Sequence, residues 1–485
     1  METVIGLADK LCCSEAIFEE EIQPDRWILF AADHPGLPIV VPNQIRALLR
    51  EFDGRKTVSE VLEHEESTAY ALSTVGFLLD NGYLKFEPSP LPYSLPPSSD
   101  IAAPSAVEVW LHLTNDCNLQ CNYCFVADKH TLMMTDEVAS RTARALATTA
   151  RTYDLQKVTV KFAGGEPTLA ISRAESFRSD LRAQLAGTST KLAFAILTNG
   201  TVLNRRVLEF LRQRDTSLTI SIDGLGSAHD TFRIFRRTGQ GSWDTIQRNL
   251  GILRDNGIKP FIAATISSET CHSLPELLKW VHDSGFKARL NVVRQADCSW
   301  QRTIKTESAY ARVCSQLMEA FGRAFEELES PHYSFEFVSQ LRVCDLHLDD
   351  PVLAPCGIRY NHIVVRPDGR IVSCPMAIDD EGVEPGDDLL EACRGSFAYN
   401  PAERRQQAEC LSCRWFPVCA GGCPITNLRM NGEPFSKSPF CELYRFLIPA
   451  FIRLLAHKMI QQEIKGGKYV SEREIEGGKY VNASE

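Results

Sequence analysis

The chain has 485 residues, 44% hydrophobic and 24% charged, which suits a soluble globular protein of several domains with a large core. Its 62 acidic against 52 basic residues leave a net charge of -10, which argues against general nucleic-acid binding, a function that needs a basic footprint. Residues 1–13 lack a basic segment followed by an apolar stretch, and no uninterrupted apolar run approaches the roughly 18 residues of a membrane span. Neither a signal peptide nor a membrane partner is expected, and the compartment reads as cytoplasmic. Seventeen cysteines in such a chain favour metal ligation over disulfides.

Residues 1–87 read as a small domain. Residues 26–30 and 38–41 are short strands around the turn-rich Asp33-His34-Pro35-Gly36. Asn43 is the expected cap of a helix carrying Ile45, Leu48, Leu49 and Phe52 and stopped by Gly54. Thr57-Val58-Ser59-Glu60 has the form of a capping box opening a second helix; a third is expected over residues 69–81 and a strand over 82–86. The order strand, strand, helix, helix, helix, strand resembles the PqqD-like peptide-recognition domain, a winged helix-turn-helix. That resemblance implies that the leader of a precursor peptide binds by adding as a strand to a sheet edge. Two rivals are a DNA-binding winged helix, disfavoured by sparse Lys and Arg on its helices, and a purely structural cap. Residues 88–105, with Pro88, Pro90, Pro92, Pro96, Pro97 and Pro104, read as an extended linker.

In the third segment, residues 106–330, a strand over 107–113 leads into Cys117-Asn118-Leu119-Gln120-Cys121-Asn122-Tyr123-Cys124. This spacing arises by chance about 0.02 times per chain of this cysteine content, so three core thiols are the weaker explanation. Three thiolates can hold three irons of a [4Fe–4S] cluster and leave the fourth open. A helix over 135–152 and a strand over 157–162 follow, ending in Ala163-Gly164-Gly165-Glu166-Pro167. Two glycines there let the backbone approach a ligand, and the carboxylate can take an ammonium group. Strands are also expected over 191–197, before Thr198-Asn199-Gly200, over 218–220, before Ser221-Ile222-Asp223-Gly224, and over 261–266 and 288–293. Such βα alternation predicts a parallel sheet with crossover helices.

The cysteine loop and the Gly-Gly-Glu-Pro turn together resemble the signature of the radical S-adenosylmethionine (SAM) enzymes. The resemblance implies an α/β fold, a partial (β/α)6 TIM-like barrel with its chemistry at the C-terminal strand ends. It implies that SAM chelates the open iron and is cleaved to a 5′-deoxyadenosyl radical. It assigns the cluster to Cys117, Cys121 and Cys124 and the SAM pocket to Tyr123, Gly164, Gly165, Glu166, Pro167, Asn199, Ser221 and Arg233. Among these Glu166 takes the amino group, and Ser221 and Arg233 are candidates for the ribose and carboxylate. A rival reading keeps Asp223-Gly224 as a plain turn and Arg233 as a surface residue.

Residues 331–460 are cysteine-rich. Cys356 and Cys374 flank a predicted hairpin, residues 363–365 and 370–372 joined by Pro367-Asp368-Gly369. Cys410, Cys413, Cys419, Cys423 and Cys441 follow at a spacing expected by chance on the order of 10⁻⁵ times. The pattern resembles the SPASM domain and so implies two auxiliary [4Fe–4S] clusters, one on Cys356, Cys374 and Cys423, the other on Cys410, Cys413, Cys419 and Cys441. The first is one ligand short: Cys344, His362 or an open iron for a substrate thiol could complete it. Zinc is the rival metal, since C-x2-C pairs suit tetrahedral sites. Cys12, Cys13, Cys271, Cys298, Cys314 and Cys393 fit no ligand spacing and are expected as small buried hydrophobes. Residues 447–460 read as a buried or amphipathic helix. Residues 461–485, which carry Gly-Gly-Lys-Tyr-Val twice, read as a flexible tail.

Taken together, the segments resemble the maturases of ribosomally made, post-translationally modified peptides. The resemblance implies a radical SAM oxidoreductase that installs a thioether, carbon–carbon or carbon–oxygen cross-link in a precursor peptide. It would use SAM, three [4Fe–4S] clusters and an electron donor such as flavodoxin or ferredoxin. A maturase of a folded enzyme, of the sulfatase or quinone-cofactor type, is the alternative, and a zinc-binding scaffold without activity the third reading.

Overall fold

The computed structural model describes residues 5–34, 36–63, 68–87, 104–126, 129, 132–294, 307–348, 356–358, 360–396 and 408–464. Most of the proline-rich linker, Cys298 and the repeated tail sequence lie outside the described residues.

Nine elements build the N-terminal unit: β1 (Lys10–Cys13), β2 (Ile17–Gln23), β3 (Arg26–Ala31), β4 (Ile39–Pro42), α1 (Asn43–Glu51), β5 (Asp53–Thr57), α2 (Val58–Val61), α3 (Thr68–Asp80) and β6 (Leu84–Lys85). They form two antiparallel sheets, ordered β5-β1-β6 and β2-β3-β4. Three of these strands are absent from the sequence reading: β2 hides its pattern behind Glu19, Glu20 and Glu21, and β5 has no apolar residue at all. The capping box forms, with Thr57 Oγ1 accepting from Glu60 N at 3.3 Å and Glu60 Oε2 from Thr57 N at 2.7 Å. The expected Asn43 cap does not. Pro42 holds the capping position, and the Asn43 N–H donates to Asp25 instead. Gly54 likewise lies within β5, the helix having ended at the buried Phe52.

One face of the unit closes its own core around Leu11, Leu29, Leu49 and Leu78. Ile28, Phe30 and Val40 on the other face join the main core of the molecule. There Trp415 packs on Phe18 and Phe30 at 5.5 and 6.5 Å between ring centroids, and Arg453 forks onto Glu20 at 2.7 and 2.8 Å.

Six consecutive parallel strands follow: β7 (Ala106–His112), β8 (Lys157–Ala163), β9 (Lys191–Thr198), β10 (Thr216–Ser221), β11 (Phe261–Ile266) and β12 (Lys287–Val292). The helices between them are α4 (Asp136–Thr152), α5 (Ile171–Gln184), α6 (Arg205–Leu211), α7 (Ser227–Asp230), α8 (Trp243–Asp255) and α9 (Leu274–Asp283). Thr135 caps α4, and Asp136 and Glu137 in its first turn favour the same end. In β7, Val107, Val109 and Leu111 enter the core with Ala143, Leu146 and Ala147 of α4. Glu108, Trp110 and His112 therefore face the other side of the sheet.

Chain from the cysteine-rich segment completes this sheet. After α10 (Glu307–Leu328) and α11 (Phe335–Ser339), β13 (Arg342–Val343) adds parallel to β12. The predicted hairpin forms as β14 (His362–Val365) and β15 (Ile371–Val372), but β14 is also paired in parallel with β7. An isolated hairpin is marginal in water and an open β7 edge would leave backbone groups unpaired, so the pairing satisfies both. Among the described residues the sheet thus has nine strands in the order β13-β12-β11-β10-β9-β8-β7-β14-β15, with β13 and β15 at its edges. The rest is helical: α12 (Leu389–Gly395), α13 (Ala408–Leu411), α14 (Phe416–Cys419), α15 (Pro424–Asn431) and α16 (Cys441–Ile464). The last runs past residue 461, where the tail was expected to begin. Among the described residues no helix is long and apolar enough to cross a membrane.

His112, the last residue of β7, has no exposed surface, and burial holds its imidazole down at about 4. The unfolded chain takes up a proton near pH 6.5 that the folded chain refuses, so stability is lost as pH falls from about 6.5 toward 4. The expected loss between pH 7 and pH 5 is about 2 kcal/mol, absent in His112→Leu, and urea unfolding of both proteins at the two pH values measures it.

Candidate active site and thiol clusters

Beyond β7, residues 114–124 are held by backbone on two sides. From the turn after β8, Gly165 N donates to Thr114 O at 2.6 Å and Glu166 N to Asp116 O at 2.8 Å. On the far side Gln120 N donates to Ile234 O and Arg236 N to Asn118 O, both at 2.9 Å. The contact with the turn leaves no room for a side chain: a Cβ on Gly164 would lie 2.4 Å from Thr114 O, and one on Gly165 2.3 Å from Asp116 O.

Cys117 is buried, and burial followed by the Glu166 charge pushes its thiol up to about 12. Its sulfur accepts from Leu119 N at 3.4 Å and from the Asn199 amide at 3.7 Å. Burial also raises Cys121, against the pull of Arg233, with Cys124 its near neighbour. Burial thus favours the protonated form of Cys117 and Cys121, so metal ligation by these two must release protons.

Glu166 is fully buried and caps the turn Pro167–Ala170. Oε1 accepts from Thr168 N, Thr168 Oγ1 and Thr198 Oγ1 at 3.0, 2.5 and 2.6 Å, whereas Oε2 accepts only from Asn199 N, at 2.8 Å, among these bonds. Oε2 therefore keeps a lone pair for an ammonium group. Asn199 itself is committed to the loop: Nδ2 donates to Asn118 Oδ1 at 2.9 Å, and Oδ1 accepts from Thr201. Its observed contacts brace the cysteine loop.

Asp223 went unrecognised in the sequence as more than part of a turn. Fully buried, it accepts from Arg233 Nε at 2.7 Å, Arg233 Nη2 at 3.2 Å, Thr265 N at 2.8 Å and the Tyr123 hydroxyl. Tyr123 of the cysteine loop and Arg233, both named from the sequence, thus meet on one carboxylate. Arg233 is only 7% exposed, which excludes the surface reading, and its Nη1 has no part in the pair. Ser221 ends β10 on the face opposite Ile220. The only sequence signal for Asp223 was an acid before glycine at a strand end.

In the cysteine-rich segment, Cys410, Cys413, Cys419 and Cys441 line one cavity of about 330 Å³ with Trp415, Phe416, Tyr444 and Ile448. Burial and then neighbouring thiols push Cys410 up to about 11 and Cys419 to about 12. Four thiols around one cavity, which Glu409, Lys437, Ser438 and Arg445 also line, fit a cubic iron–sulfur cluster. Separately, Ile358, Ile425 and Met376 surround Cys423 and Cys374, and burial followed by the Cys423 and Cys356 thiols raises Cys374. Cys344 follows β13, its N–H donating to Leu290 O at 2.6 Å, and its thiol is raised to about 12 by burial and then by Asp345, with Arg294 opposing. His362, the other proposed ligand, has Nδ1 3.2 Å from Glu108 Oε1 on the sheet. Cys12, Cys271, Cys314 and Cys393 are buried as expected, and Cys13 is half-buried.

Three cysteines thus lie on the loop beyond β7, against a glycine turn that presents a buried carboxylate, as the resemblance to the radical SAM enzymes implies. Residues 111–281 match the radical SAM superfamily, so the chain carries a radical SAM domain there, which implies SAM and one [4Fe–4S] cluster. It is similar to a cysteine-type anaerobic sulfatase-maturating enzyme of Clostridium novyi, 22% identical over 351 residues, 68% of this chain and 91% of that one. It is also similar to pre-heme d1 synthase of Dinoroseobacter shibae, 26% identical over 385 residues, 72% and 89% of the two chains. Among solved structures, native anSMEcpe with bound AdoMet and Cp18Cys peptide has a TM-score of 0.55 at 19% identity, covering 74% of this chain and 99% of that one. Streptococcus suis SuiB bound to precursor peptide SuiA has a TM-score of 0.50 at 14% identity, covering 89% and 100%.

Two substitutions separate the roles of turn and carboxylate. Gly165→Ala is expected to dislodge the cysteine loop and lose about four irons per chain. Glu166→Gln is expected to keep its iron and weaken SAM binding roughly 10- to 100-fold, the range for a lost hydrogen bond to a charged group. Iron analysis and calorimetric SAM titration under anaerobic conditions check both.

Proposed function

We propose that this enzyme is a maturase that installs a cross-link, a thioether or a carbon–carbon or carbon–oxygen bond, in a ribosomally made precursor peptide. The observation that carries this reading is coverage: SuiB matches 89% of the chain and anSMEcpe 74%, each over nearly its own whole length. The excess is about the size of the N-terminal unit, the proposed PqqD-like domain of residues 1–87. A leader held there raises the local concentration of the core peptide at the barrel mouth. The outer side of β5, which pairs only with β1 among the described strands, is the edge proposed to receive it.

When bound, SAM and the cluster of Cys117, Cys121 and Cys124 supply a 5′-deoxyadenosyl radical that abstracts hydrogen from an unactivated carbon. The chain's own work is positioning. Oε2 of Glu166 takes the SAM ammonium group, Arg233 Nη1 is available to a carboxylate, and Gly164 and Gly165 keep the backbone close. Cys410, Cys413, Cys419 and Cys441 would hold one auxiliary cluster, and Cys356, Cys374 and Cys423 a second, with Cys344 the proposed fourth ligand. The proposed boundaries are a linker over 88–105, a barrel over 106–330, a SPASM domain from 331 to the end of α16 at Ile464 and a tail beyond it, with flavodoxin or ferredoxin as electron donor. A second reading, maturation of a sulfatase-type polypeptide, is favoured by the likeness to the sulfatase-maturating enzymes.

Anaerobically reconstituted protein is expected to hold about 12 irons, and the Cys117→Ala, Cys121→Ala, Cys124→Ala triple variant about 4 fewer, with no SAM cleavage. Against candidate precursor peptides, mass spectrometry should find a product lacking two hydrogens that resists fragmentation between the linked residues. A hydrazide-reactive aldehyde on sulfatase peptides alone would replace the first reading by the second. Stoichiometric zinc without SAM cleavage would overturn both.

A further inference from the structure

We propose that Arg294, Asp345 and Tyr444 form a bridge between the two auxiliary thiol sites that sets the reduction potential of the one built on Cys356, Cys374 and Cys423. This rests on the three-cluster reading of the chain.

Asp345 is the centre of the bridge. It is 2% exposed and accepts from Arg294 Nη2 at 2.7 Å on one oxygen and from the Tyr444 hydroxyl at 3.2 Å on the other. Tyr444 lines the cavity of Cys410, Cys413, Cys419 and Cys441, so one end of the bridge stands at the second site. The chain passing between the sites touches the same ring: a Cβ on Gly422, next to Cys423, would lie 3.1 Å from Tyr444 Cε2.

Arg294 is the other end. It follows β12, and its partner Asp345 is next in the chain to Cys344, the proposed fourth ligand of the first site, whose N–H donates to Leu290 O of that strand at 2.6 Å. The Arg294 Nε is buried and has no hydrogen-bond partner among the described residues, leaving one N–H for a sulfur acceptor. A cluster held by thiolates becomes more negative when it takes an electron. A fixed guanidinium beside it therefore favours the reduced form, and hydrogen bonds to sulfur act in the same direction. Asp345 offsets part of that charge. The balance decides which of the two auxiliary sites takes a single electron first.

The test is an EPR-monitored redox titration, with dithionite as the electron source, in the Cys117→Ala, Cys121→Ala, Cys124→Ala background so that only auxiliary clusters are seen. Arg294→Met should lower the midpoint of one auxiliary cluster by a factor of ten in its one-electron equilibrium, about 59 mV, and leave the other in place. Asp345→Asn should raise the same midpoint, and Arg294→Lys should restore it. Opposite signs from the two partners of one ion pair are not produced by loosened packing. Where Arg294→Met loses iron, Asp345→Asn decides alone: a raised midpoint supports the bridge and an unmoved one overturns it. Unmoved midpoints at full iron content remove the bridge and leave the cluster reading intact. An unsubstituted chain with only about 4 irons removes the cluster reading itself, and the bridge with it.

Discussion

Everything at the radical SAM centre depends on two strand-end loops touching backbone to backbone. Residues 114–116 and 164–166 approach so closely that a single Cβ on either glycine would overlap a carbonyl oxygen. The hydrogen bonds across that contact contribute only about 0.5–1.5 kcal/mol each, so their energy alone does not explain why the turn tolerates only glycine. Exclusion does. The contact fixes the height of Cys117 relative to Glu166. Asn199 and the segment around Ile234 then hold the other flank of the loop.

The same side-chain grouping occurs twice in the interior. Arg233, Asp223 and Tyr123 meet beside Cys121, and Arg294, Asp345 and Tyr444 meet beside Cys344. Burying an ion pair costs desolvation that apolar packing would avoid, so stability alone is a weak reason to keep either. In both cases the guanidinium lies near enough to cysteine to draw its thiol downward.

The N-terminal unit is joined to this machinery through packed side chains. Phe18 and Phe30 rest on Trp415, and Trp415 lines the cavity of the second cysteine site. Aromatic contacts of this kind contribute about 0.5–1.5 kcal/mol beyond their buried area. With the ion pair between Arg453 and Glu20, they set the unit against the cysteine-rich segment at one orientation. A peptide held on the unit would therefore enter the barrel from a defined side.

Read alone, the sequence identified what depends on neighbours along the chain. The spacing of Cys117, Cys121 and Cys124 marks a loop that can share one metal centre. Alternating apolar residues mark β7 to β12, Thr135 marks the start of α4, and Thr57 with Glu60 marks α2. It proposed Tyr123, Glu166 and Arg233 as site residues, but not the carboxylate of Asp223 on which two of them converge. It missed β2, whose three glutamates hide the alternation, and β5, whose residues are all polar or glycine. Tertiary structure alone decided that the β14–β15 hairpin pairs with β7, that Asn199 braces the loop, and that Arg294 and Asp345 meet beside Cys344. The reason is physical: spacing and periodicity report contacts within a few residues. The pairing of β14 with β7 joins residues about 250 positions apart, and a buried charge finds its partner only when the chain has closed around it.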